Sequence, residues 1–293
     1  VDAGTMVLQL MLSGLTVGAI YALVAVGFVL IYNVTGVLNF AQGEFAAVGA
    51  LTGAWLSMRG LPLWVCVVLA VLVAAAVAAG VERAVVHPAR QSRPMTVIML
   101  TIGAGMALRG AALLVFGTDP LAMPMFTEGE PISIGGATIL WQTVWALVLC
   151  LLFFAALVFF FEKTYTGKAV RANVMNRFAA RLYGIRPTTL SFWVFVVGGA
   201  VSGLAGVVVA PITGATYDMG LMLSMKGFVA AVIGGLNNAA AAVVGAVLLG
   251  VVESLATGLL SSGYGDVISF ALLLAMLLVR PSGLWSRAEG KRV

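Results

Sequence analysis

Hydrophobic positions in this chain form long unbroken runs, with no alternation. From Ala3 to Gly43 there is no Asp, Glu, Lys or Arg, and uninterrupted apolar runs fill Leu63 to Val81 and Val144 to Phe161. Each of the two runs is close to the roughly 20 residues with which a helix crosses about 30 Å of hydrocarbon. A period of two is missing, so a transmembrane β-barrel does not fit. Reading the runs against Gly, Pro and charge gives segments near 6–32, 36–58, 62–83, 95–116, 140–161, 188–211, 224–259 and 263–280. The seventh is too long for one straight span and is interrupted by Gly234-Gly235-Leu236-Asn237-Asn238, so it reads as two short helices with an unwound joint. The predicted fold is all-α: one polytopic transmembrane helix bundle over residues 1–293, with about eight segments, one broken in two, and a short cytoplasmic helix.

Composition agrees, with 62% hydrophobic and 9% charged residues, against about 45–50% and about 25% in a soluble domain. Charge then orients the bundle. Apart from Arg59, Arg109 and Lys226, the 16 Lys and Arg fall in three clusters, at 83–93, 163–186 and 280–292. The positive-inside rule places all three in the cytoplasm. The connection from Gly117 to Ile139, one span from each of the first two clusters, carries Asp119, Glu128 and Glu130 and no basic residue, so it faces outward. Returning from Arg186 to Arg280 on the same side takes an even number of crossings, which again favours two passes for the seventh segment. Counting back from Arg83 puts the N-terminus outside. Trp55, Trp64, Trp141 and Trp145 then fall at the outer interface, where amphipathic rings belong. The first run lacks the basic lead and small-residue cleavage site of a secretory signal and reads as a retained span. In a soluble protein a net charge of +5 would hint at nucleic acid; here its distribution reads as topology, and no nucleic-acid partner is expected.

Catalytic chemistry is not visible. His87, the one histidine, sits in a basic loop before Pro88 and reads better as a solvated side chain than as a zinc ligand or a triad base. There is no G-x-x-x-x-G-K-[ST] phosphate loop, so ATP-driven transport would draw its energy from another subunit. Cys66 and Cys150 lie within apolar runs and read as buried small hydrophobes. Neither a cofactor nor a metal is expected, and the chain is not expected to be an enzyme. Among the 35 glycines, the pairs Gly14 and Gly18, Gly103 and Gly105, Gly199 and Gly203, and Gly245 and Gly250 mark candidate close-packed helix faces.

The run from Tyr32 to Phe45 carries Asn33, Thr35, Asn39, Gln42 and Glu44 between apolar segments that leave little room for a soluble loop. Polar groups at such a place are costly unless they face a cavity or other protein groups, and an interrupted helix offers free N–H and C=O groups to a solute. Asn39, Gln42 and Glu44 are therefore candidates for a substrate pathway; the plainer reading is a cytoplasmic turn capped by Asn39 or Thr35. Lys226, within an apolar segment and followed by Gly227-Phe228 much as Gly43-Glu44 is followed by Phe45, joins them as the counterpart in a pseudo-symmetric half. Snorkelling of Lys226 to the outer interface is the alternative.

In the second basic cluster, Val170, Val174, Phe178 and Leu182 recur every four residues and draw an apolar line along a short helix that Gly184 can end. A basic helix of this kind lies on the membrane or docks into another protein, and the pattern alone leaves both open.

The chain resembles the LivH-type permeases of ATP-binding-cassette importers for branched-chain amino acids. The resemblance covers most of the chain. It is carried by Gly18-Ala19-Ile20-Tyr21-Ala22-Leu23, Thr35-Gly36-Val37-Leu38-Asn39-Phe40-Ala41-Gln42-Gly43-Glu44-Phe45, Gly167-Lys168-Ala169-Val170-Arg171-Ala172, Met225-Lys226-Gly227-Phe228 and Arg280-Pro281-Ser282-Gly283-Leu284. It departs from the usual pattern at Leu236-Asn237-Asn238-Ala239. The resemblance implies a permease of the bacterial inner membrane that forms half of a pathway for leucine, isoleucine and valine or a related small amino acid or amide. Its implied partners are a homologous second permease, two cytoplasmic ATP-binding subunits and a periplasmic solute-binding protein. Residues 167–185 then look like the helix that couples to an ATPase, with Gly167, Arg171, Arg177, Phe178, Arg181 and Gly184 as its candidate residues. A secondary transporter, with Glu44 carrying a proton, or a passive channel is the competing class.

Overall fold

A computed structural model describes residues 3–134, 136–175, 177–261, 263–280 and 283–285. The first segment is one long helix, α1 (Ala3–Thr35), followed after a short turn by α2 (Gln42–Met58) and α3 (Leu63–Val81). A π-helical turn, Glu82–Val86, and a 3₁₀ turn, Pro88–Gln91, lead into α4 (Pro94–Phe116). A small hairpin pairs β1 (Ile132–Ile134) with β2 (Ala137–Ile139) before α5 (Trp141–Lys163). The basic cluster forms α6 (Tyr165–Met175) and α7 (Arg177–Leu182), and the second half of the bundle is α8 (Pro187–Thr213), α9 (Met219–Gly234), α10 (Ala239–Leu259) and α11 (Tyr264–Val279). Six of these helices, α1, α3, α4, α5, α8 and α10, are long and apolar enough to cross a membrane. The expected all-α polytopic bundle is what forms.

The seventh sequence segment is two helices, as its length demanded. Gly235 takes a φ of +121°, a conformation closed to most side chains, and Asn238 caps α10 by accepting from the Ala240 and Ala241 amides at 3.0 and 3.3 Å. The end of α9 is completed from far along the chain: Leu284 and Trp285 donate their amides to the Ile233 and Gly234 carbonyls. Those carbonyls would otherwise be orphaned at a helix C-terminus inside the bundle. Gly283 has no room for a Cβ against the Gly235 backbone, which explains why both glycines belong to one junction.

Packing relates two sets of four helices. α1 lies on α10 as α8 lies on α3, α2 on α8 as α9 on α1, while α1 meets α8 and α2 meets α9. With the orientation set by the basic clusters, α1–α4 run opposite to α8–α11, the arrangement of an inverted repeat. The predicted glycine faces mostly explain the close approaches. Gly14 and Gly18 face the α10 backbone, Gly199 and Gly203 face Ala78 and Ala74 of α3, and Gly245 and Gly250 face α9 and α1. Gly103 differs: nothing lies within 4 Å of its Cβ direction. At the end of α3 the buried Glu82 carboxylate receives Arg90 and, at 3.2 Å, the Ser191 hydroxyl, tying the π-helical turn to the foot of α8.

Candidate functional site

The second helix begins later than the apolar run, at Gln42 where 36 was expected, because residues 36–41 unwind and fold back into the bundle. Gly36 opens this turn at φ +75°. Gln42 donates from Nε2 to the Gly198 carbonyl at 2.9 Å and to Ser202 Oγ at 2.7 Å, both near the midpoint of α8. Glu44 and Ala41 pack against Gly105, the central residue of α4. The turn therefore lies at mid-depth among the helices, which is where the pathway reading needs polar groups and the cytoplasmic-turn reading does not.

The backbone groups at this break are not free, contrary to what an interrupted helix led one to expect. The Ala41 amide is taken by Asn39 Oδ1 at 3.2 Å, the Gly43 amide by Ser224 Oγ at 2.7 Å and the Phe40 amide by Thr101 Oγ1 at 3.3 Å, while Ser224 donates to the Phe40 carbonyl at 2.9 Å. Buried polar groups must be satisfied, and here the hydroxyls of Thr101 on α4 and Ser224 on α9 do so, with the side-chain amide of Asn39 in the turn itself. Asn39 and Gln42, both fully buried and joined by a 3.4 Å hydrogen bond, hold the break together. Phe28, Phe40 and Phe228 close ranks beside it, with ring centroids 5.3–6.1 Å apart.

Glu44 is the charged group at the break, and its partner is Arg109 on α4, whose Nη2 lies 2.5 Å from Glu44 Oε1. Gly220 of α9 sits against the other side of the carboxylate, where a Cβ would collide with it. Arg109 was not among the sequence candidates. Its signal was a lone basic residue inside an apolar span, and periodicity cannot say that it faces Glu44.

Lys226 belongs to a different cluster. Its Nζ lies 2.8 Å from Glu253 Oε1 on α10, 2.6 Å from Asp266 Oδ1 on α11 and 3.2 Å from Ser269 Oγ. Tyr21 of α1 donates to the same Glu253 oxygen at 3.2 Å. Ser224, two residues earlier, points to the α2 break instead, so α9 serves both clusters from different faces. Thus the structure joins Asn39, Gln42 and Glu44 and leaves Lys226 apart from them.

The basic cluster is helical over Tyr165–Met175 and Arg177–Leu182, on either side of Asn176, which lies outside the described residues. Thr164 caps α6 by accepting from the Gly167 amide at 3.0 Å, and Gly167 lies too close to the end of α5 for any side chain. Gly184 ends α7 at φ +79°, with the Ile185 amide reaching back to the Ala180 carbonyl, as the sequence predicted. Val170 is buried, Leu182 is exposed, and Arg171 stands 3.9 Å from Glu162 at the surface. The side chains of Val174, Arg177, Phe178 and Arg181 lie outside the described residues. Tyr165 and Tyr183 are about nine-tenths exposed, an aromatic display that the four-residue repeat did not reveal. Beside α6 a cleft of about 610 Å³ opens between α1, α5 and the α9–α10 junction, with Asn33, Glu162, Arg171, Asn237 and Asn238 among its lining residues.

Comparison with known proteins identifies the family of the chain. The family described as "Branched-chain amino acid transport system / permease component" matches residues 10–277. The high-affinity branched-chain amino acid transport system permease protein LivH of Salmonella typhimurium is 33% identical, over 98% of this chain and 97% of its own length. The corresponding BraD protein of Pseudomonas aeruginosa is 30% identical over 98% of each. A probable LivH permease of Methanocaldococcus jannaschii is 27% identical over 89% of this chain and 87% of its own. With most of its length matched and its helices assembled as a polytopic bundle, the chain belongs to the branched-chain amino acid transport permease family.

Proposed function

We propose that this multi-pass membrane protein is the bacterial inner-membrane permease of an ATP-binding-cassette importer and forms half of the pathway for leucine, isoleucine and valine. The observation that carries the reading is the helix break at mid-depth, where Asn39 and Gln42 fix the turn and Glu44 brings a carboxylate into an apolar bundle. Ionisable residues at such depth mark substrate and ion paths. Relatives that match nearly the whole chain are named for branched-chain amino acid transport, which supports the substrate class. Residues 1–293 act as one permease unit, paired with a homologous second permease and supplied by a periplasmic solute-binding protein.

Two cytoplasmic ATP-binding subunits provide the energy, docking on α6 and α7. The exposed Tyr165, Leu182 and Tyr183 suit a groove in a partner, and Gly167 and Gly184 fix where the platform begins and ends. Arg171, Arg177 and Arg181 give it the positive charge that steers an acidic groove, with Phe178 as an anchor. Uptake of labelled leucine tests the whole reading in cells that express the complete importer with and without this chain. Loss of uptake on its removal is the expected result, and unchanged uptake overturns the assignment.

A further inference from the structure

We propose that Arg109 and Glu44 form the binding pair for a zwitterionic head group, the guanidinium receiving the substrate α-carboxylate and the Glu44 carboxylate its α-ammonium. This rests on the permease reading above and names the residues that would recognise the amino-acid part of the substrate. Three features of the pair lead to it.

The first is unused hydrogen-bonding capacity. A guanidinium carries five N–H donors in a planar fork matched to a carboxylate. Arg109 reaches Glu44 at 2.5 Å through Nη2, while its Nε is buried and has no partner among the described residues. A buried donor left unpaired costs about 1–3 kcal/mol. Once the side chain shifts to uncover Nε, a carboxylate placed across Nε and a terminal nitrogen would satisfy it in the bidentate geometry that such groups favour.

Position is the second. Glu44 packs beside Gly105 at the middle of α4, and Arg109 stands one helical turn further out. The Glu44 side chain is 4% exposed and that of Arg109 is 25% exposed, so the pair is reached from the arginine side. A partly uncovered guanidinium at this depth is expensive against lipid, so its open side meets water or protein. Stability alone does not account for the pair, since replacing a buried ion pair by packed apolar side chains is often neutral or favourable.

Charge balance is the third. An ion pair and a zwitterion are each neutral, so exchanging the internal contact for two contacts to the ligand leaves no uncompensated charge in the bundle. Lys226 offers no such exchange, because Glu253, Asp266 and Ser269 already engage its three N–H donors.

The test is leucine uptake by the complete importer in proteoliposomes, comparing the wild type with Arg109→Lys and with the neutral double variant Glu44→Gln/Arg109→Gln. The double variant removes both charges together, so a purely structural role predicts wild-type assembly and a wild-type KM. The proposal predicts normal assembly with KM raised about tenfold or more, from the loss of two charge-assisted contacts. A double variant with unchanged KM overturns it. If the double variant does not assemble, Arg109→Lys decides: it keeps the charge but loses the fork, and an unchanged KM overturns the proposal whereas a raised one upholds it. Failure of the wild-type complex to carry any amino acid refutes instead the permease reading, and the proposal falls with it.

Discussion

Gly206 has no room for a methyl group, because its Cβ would run into the Ala46 carbonyl where α8 crosses α2. Backbone cannot yield as a flexible side-chain end can, so Gly206→Ala should cost about 1–3 kcal/mol, the usual range for overpacking. Thermal unfolding in detergent should show the loss as a lowered Tm. Gly103→Ala is the control: the site is open, and Ala is the better helix former by about 1 kcal/mol, so its Tm should hold or rise. The sequence ranks these two glycines the wrong way round. Gly103 belongs to a suggestive Gly103-x-Gly105 pattern and Gly206 to none, yet what confines Gly206 is a carbonyl 160 positions earlier. Local spacing has no access to that. The same limit hid Arg109, whose partner Glu44 is 65 residues away.

Helix ends were more legible than helix partners. Gly184 and the Gly234–Asn238 interruption could be read directly because turn and cap chemistry is local, and the structure uses both as their residues suggest. Asn238→Ala removes the acceptor for two amides at the start of α10 and should lower stability by about 1 kcal/mol, measurable as a small Tm shift. Attachment of α11 is a larger matter. It buries only Gly265 and Ser269 completely, rests the partly buried Leu272, Leu273 and Met276 on the core, and is tied to the bundle by Asp266 and Ser269, both bound to Lys226. Lys226→Met would leave Glu253 without its cation, so α11 should loosen and protease cleavage near Ser261 should quicken. Adding Glu253→Gln and Asp266→Asn to Lys226→Met removes the stranded charges and should restore most of the resistance. Equal protease sensitivity in wild type and single variant would show that α11 is held by other contacts.

For the molecule as a whole, the number of apolar helices was legible in the sequence and their direction could be argued from it, because both follow from solvent: lipid demands length, and charge asymmetry sets sides. The sequence did not disclose which helices touch. From Gly14 onward α1 is largely enclosed, whereas α4 and α5 stay largely uncovered, although all three are apolar enough to cross a membrane. Hydropathy measures escape from water and cannot separate lipid from protein as the refuge. The opposed direction of α1–α4 and α8–α11 survives turning the whole bundle over, so which side faces out is a separate matter, and it is open to a direct check. Cys66 and Cys150 are both buried, so the wild-type chain should give little background with an impermeant thiol reagent. A cysteine replacing the exposed Ser133 in the outer hairpin should label from outside in intact cells. One replacing the exposed Tyr183, at the end of α7 among the basic residues, should label only after the membrane is opened. The basic clusters alone choose the sides, and the even number of crossings between Arg186 and Arg280 is consistent with that choice. Labelling of Tyr183→Cys but not Ser133→Cys in intact cells would invert the bundle, carry α6 and α7 away from any cytoplasmic ATPase, and remove the basis for coupling at that platform.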